Sequence, residues 1–196
     1  MGTGGTRAAV MVLACLVAAP AAAQSLNPGP PGPWVVDVRG VLSGLPTSEA
    51  FYPGRPAGTS VPARGFGIDV GGHVYPFRFA AARIGLGADV LIARGSALDV
   101  SATLTTVAPQ MSFNFGSSDG WSYLTVGLGV AHLAFVPGES TNVRSLNFGG
   151  GARWFTGPHL GIGFDIRFHR MAEGGSLDAP TPAFMPVTVA VGLSLK

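Results

Sequence analysis

The sequence predicts an all-β fold, a single eight-stranded antiparallel transmembrane β-barrel. Three observations carry that prediction. Past residue 32, apolar side chains recur at every second position in segments of about ten residues, the period of a strand with one oily face. An export-type leader precedes those segments. Only 11% of the residues are Asp, Glu, Lys or Arg, too few for a soluble sandwich that turns its charges to water.

The leader is read over residues 1–23: Arg7 gives the positive start, Ala8 to Ala19 the apolar core, and Ala21-Ala22-Ala23 a small-residue cleavage site before Gln24. Its core is shorter than the roughly 20 residues of a spanning helix, and Pro20 ends it. Cys15 is the only cysteine, and Val12-Leu13-Ala14-Cys15 loosely matches a lipoprotein signal. The apolar run continues past Cys15 to the conventional site, so cleavage after Ala23 is the preferred reading. A mature chain so cut has no disulfide and no thiol chemistry.

Charge excludes one class of partner. Loss of Arg7 with the leader leaves 11 basic against 10 acidic residues, with no basic run, so no nucleic-acid footprint exists. Residues 24–33 form a Pro/Gly-rich lead-in, and 34–196 the barrel.

Eight strands are expected at 34–42, 65–77, 79–93, 102–115, 121–135, 145–155, 159–169 and 184–195. The segment Leu160 to Phe168 shows the pattern most plainly, because Leu160, Ile162, Phe164, Ile166 and Phe168 are apolar while Gly161, Gly163, Asp165 and Arg167 separate them. Tight connections are expected at Pro76-Phe77, at Gly116 to Gly120 and at Thr156-Gly157-Pro158. Longer ones are expected after the first, third, fifth and seventh strands, especially Ser43 to Arg64 and Arg170 to Ala183. Short periplasmic turns and long outer loops put both termini in the periplasm. Pro109 and Pro186 each remove a ladder donor and are expected at bulges.

On this topology Trp34, Tyr75, Phe77, Trp121, Tyr123, Trp154 and Phe155 fall near periplasmic strand ends, as a girdle at the membrane interface. Phe66, Phe135, Phe168 and Phe184 mark the opposite rim. The remaining outward positions are mostly Val, Leu and Ile.

Opposite parity is small or polar. Asp37, Arg39, Asp69, Arg83, Asp89, Arg153, Asp165 and Arg167 share it, among many glycines. Four Asp and four Arg in one lumen cancel, and buried ions must pair, so an interior Arg–carboxylate network is expected. A barrel of about eight strands is just wide enough for side chains to fill, so the network plugs it. The alternative is a narrow polar pore gated by rearranged ion pairs.

With these features the chain resembles the small eight-stranded outer-membrane barrels, those like the transmembrane domain of outer-membrane protein A and like outer-membrane protein X. The resemblance implies envelope integrity, surface adhesion or a minor pore, in contact with outer-membrane lipid, lipopolysaccharide and the barrel assembly machinery. Two departures stand out. No peptidoglycan-binding domain is expected after the barrel, and the last strand ends Leu195-Lys196 instead of on the aromatic typical of the assembly signal.

Catalysis is not expected. The barrel deacylases carry a closely spaced His-x-Ser on a lipid-facing strand, whereas His169 is followed by Arg170-Met171 and has lumen parity, with Ser176 farther on. His73 and His159 also have inward parity, and no spacing among the histidines, His132 included, suggests zinc. Gly149-Gly150-Gly151 lacks the Lys-Ser/Thr partner and following helix of a phosphate loop, so no cofactor is read. The first loop, with Phe51-Tyr52, is either a surface for an outside partner or a lid.

Overall fold

Eight long strands build the fold because the period of two holds across each of them. β1 is Trp34–Gly44, β2 Arg64–Phe79, β3 Ala82–Ala97, β4 Val100–Ser117, β5 Gly120–Val136, β6 Ser140–Phe155, β7 Leu160–Met171 and β8 Val187–Leu195. The computed structural model describes residues 32–53, 55–56, 58–79, 82–175 and 180–196. The leader, Cys15 and Ser176 lie outside the described residues.

Each strand pairs antiparallel with its sequence neighbour, and β1 closes the ring on β8 from Val36↔Leu195 to Ser43↔Thr188. Closure leaves no open edge, so every strand spends its backbone donors and acceptors inside the ring. Residues 174–175 and 180–181 form a short ribbon above β7, and Glu49–Phe51 make one 3-10 turn in the first loop.

The faces are inverted relative to a soluble protein. Asp37 is 1% exposed, whereas its neighbours Val36 and Val38 are 39% and 43% exposed. Outward apolar side chains continue round the ring, reaching 73% exposure at Phe66 and 69% at Leu128. A water-soluble surface does not carry an apolar patch of that extent, but hydrocarbon requires one.

Several sequence expectations change. The second strand runs on through Pro76 and Phe77 to Phe79, and its register with β3 shifts between Val74 and Phe77, so the bulge falls at Pro76. At Pro109 the ladder to β5 is interrupted, yet Val107↔Val130 and Gln110↔Gly127 keep one register, so no bulge forms. The missing imide N–H breaks hydrogen bonds without adding a residue. Pro186 lies just before β8; its carbonyl accepts from His169 N–H at 3.0 Å, and Phe184 makes an isolated bridge to Met171. The connections after β3 and β5 are as tight as those at the other end, so only the first and last loops are long.

Candidate functional site: the barrel lumen

The inward side chains form three layers. The middle layer is ionic. Asp37 on β1 receives Arg153 from β6 in a fork, Nε to Oδ1 at 2.9 Å and Nη2 to Oδ2 at 2.6 Å. Ser194 Oγ donates to the same carboxylate at 2.6 Å, and Arg39 Nη2 lies 2.8 Å from it. Arg39 also donates from Nη1 to Asp69 Oδ2 at 3.1 Å. Arg167 on β7 bridges Asp165, at 2.8 Å from Nε to Oδ1, and Asp89 on β3. Tyr123 OH donates to Asp165 Oδ2 at 2.6 Å, and the Arg153 guanidinium stacks 4.0 Å from the Tyr123 ring centroid.

Seven of the eight acidic and basic residues singled out in the sequence meet in this layer. Arg83 does not: it sits half-buried toward the termini, and its side chain joins no carboxylate among the described residues. The contact set therefore holds four carboxylates and three guanidiniums. Geometry explains why these types are used, since planar guanidinium forks let one Arg satisfy carboxylates from two strands at once. A polar ladder extends the layer, with Thr125 Oγ1 donating to Gln110 Oε1 and Gln110 Nε2 to Asn147 Oδ1, both at 3.2 Å.

Toward the long loops the lumen turns apolar. Val41, Leu91, Leu104, Leu133, Met171 and their neighbours point inward, and the first loop folds Phe51 and Tyr52 down onto them. Phe51 meets Phe184 edge-on at 5.2 Å between centroids, and Tyr52 meets Phe135 at 5.0 Å. Tyr52 OH donates to the Pro46 carbonyl at 2.9 Å, and burial pushes its phenol up to about 12.

Toward the termini the third layer is aromatic. Trp121 stacks on Phe155 at 4.9 Å and meets Tyr75 edge-on at 6.1 Å. Trp121 is 0% exposed, and Tyr75, Tyr123 and Phe155 are buried beside it, so these four do not belong to an interface girdle. Their parity is that of Asp69, Gly127 and Arg153. Trp34 and Trp154 do face outward with Phe77, Phe113 and Phe115. Phe135 likewise faces inward instead of marking the outer rim. Lys196 closes this end: its ammonium donates to the Ser118 carbonyl and lies 4.1 Å from the Phe155 ring centroid. Burial among these groups lowers the Lys196 ammonium below the ordinary lysine value.

His169 is buried in the lumen with Nε2 3.2 Å from Thr188 Oγ1, far from any lipid-facing position. His159 lies in the exposed turn before β7, where its Nδ1 is 3.1 Å from the Lys196 carbonyl, so it does not point inward. His132 faces outward, 2.9 Å from Asn142 Oδ1.

The closed eight-strand ring recurs in solved structures. Neisserial surface protein A matches with TM-score 0.59 at 12% identity, over 84% of this chain and 97% of that one. The fold is that of the small outer-membrane barrels. Ail, the attachment invasion locus protein of Yersinia pestis, matches with TM-score 0.51 at 14% identity, over 85% of this chain and 99% of that one. The outer membrane enzyme PagL is a more distant match, with TM-score 0.47 at 11% identity, over 83% of this chain and 99% of that one. No family model and no curated protein matches the sequence.

Proposed function

We propose that the chain is a non-catalytic outer-membrane barrel of a diderm bacterium, exported on a leader cleaved after Ala23, with a structural or surface-interaction role. Its long loops face outside and its termini the periplasm, where the barrel assembly machinery receives it. The observation that carries this reading is the occupied lumen: a buried Arg–Asp layer lies between the apolar layer under Phe51 and the aromatic layer over Lys196. An ion crossing it has to break paired, desolvated charges and pass two oily constrictions. The lumen is therefore a plug that stiffens the wall, and interaction belongs to the loop end.

A pore is the rival that planar-bilayer recording decides. The folded chain is expected to give no unitary conductance; well-defined steps from the purified protein would replace the plug with a channel. A hydrolytic role has little to stand on, because His169 faces Thr188 inside the ring and not the lipid.

A further inference from the structure

Positive charge on the outer wall gathers at one end. Outward positions near the termini carry aromatics, whereas near the long loops they carry Arg64, Arg94, Arg144 and Arg170, all exposed. Two of these converge. The β6–β7 ladder opposes Leu146 to Arg170, and Ala172 N–H donates to the Arg144 carbonyl at 2.9 Å. Arg144 and Arg170 are thus diagonal neighbours on one lipid-facing surface, within reach of a shared ligand.

Both arginines line a groove of about 780 Å³ across β5, β6 and β7, whose lower wall is Leu128 and Leu146. Glu173 lines it too, yet among the described residues neither guanidinium forms an ion pair with any carboxylate. Inside the lumen every network Arg is paired. Outside, at the hydrocarbon boundary, two unpaired guanidiniums face the level of lipid headgroups, where such side chains extend toward anions. Planar forks suit phosphate oxygens, and the exposed Leu128 with the half-buried Leu146 beneath suits an acyl chain.

We propose that this groove is a binding site for a phosphorylated lipid of the outer leaflet, its phosphate held between Arg144 and Arg170 and its acyl chain laid over Leu128 and Leu146. The proposal rests on the membrane reading above and adds a headgroup chemistry and a place to it.

The test uses the full chain folded in dodecylmaltoside micelles and two probes, bisphosphorylated lipid A and the same lipid with its phosphates removed, with retention read by native mass spectrometry. The phosphorylated lipid is expected to bind at least about tenfold more tightly, a difference one charge-assisted fork suffices to give. An Arg144→Gln/Arg170→Gln chain loses that preference, an Arg94→Gln chain on the far wall keeps it, and millimolar inorganic phosphate does not displace the lipid. Equal retention of the two lipids, unchanged preference in the double variant, or displacement by free phosphate would overturn the site. Where the double variant does not fold, the comparison of two lipids on the unmodified chain still decides. Failure of the membrane reading is separately visible, as a chain that stays soluble without detergent.

Discussion

Arg153 and Asp37, 116 positions apart in sequence, are joined by two parallel hydrogen bonds of 2.9 and 2.6 Å across the lumen. Strands β6 and β1 are not neighbours in the ring, so this contact ties opposite walls together. Replacing Arg153 with Met leaves Asp37 short of a partner, and breaking such a buried pair costs about 3–5 kcal/mol. The expected outcome is a lower urea midpoint for loss of the folded gel band. Bilayer recordings of the same variant stay silent, because both apolar layers remain.

Overpacking tests the same layer from the other side. A Cβ built on Gly151 meets the Phe164 carbonyl, and lies 2.7 Å from Tyr123 OH and 2.9 Å from its ring. Gly151→Val therefore drives Tyr123 off Asp165, at a cost of about 1–3 kcal/mol. Gly157, in the turn before β7, has open space around it, and Gly157→Ala is expected to leave the midpoint unchanged.

The first loop is pinned by its aromatic pair. Phe51→Ala removes the contacts to Phe135 and Phe184 and undocks the loop. Limited digestion with endoproteinase Glu-C then cuts after Glu49 faster than in the parent chain, while the barrel strands stay protected.

Tyr52 gives that docking a pH limit. Its phenol is raised to about 12 in the folded loop, above the ordinary value of about 10, so the neutral form is favoured. Its contribution is whole below about pH 10 and is lost as pH rises through about 12. The 295 nm absorbance difference between the parent chain and Tyr52→Phe should show a transition near 12; one near 10 would mean an undocked loop.

The period of two made the barrel legible, since Val36-Asp37-Val38-Arg39 already states which side is oil and which is ions. The same rule applied strictly to β5 puts Trp121 and Tyr123 with Gly127, inside; the general preference of Trp and Tyr for interfaces misdirects there. The upper apolar layer has a sequence signal too, because alternation dissolves into the continuous run Val90-Leu91-Ile92-Ala93. Which Arg meets which Asp was not legible. That depends on stagger around the ring, and Arg83, with the right parity, stands too near the termini to join. Proline was ambiguous for a similar reason: Pro76, Pro109 and Pro186 each lack an N–H, and only register decides whether a bulge, a broken rung or a strand start results.

Heat modifiability reads out whether the barrel is closed with its oily face outward. The full chain folded in detergent should migrate differently on a gel with and without boiling, because a closed ring resists dodecyl sulfate until heated. Identical mobility in both lanes, from a chain that dissolves without detergent, would mean that no closed membrane barrel forms and that the two faces are exchanged.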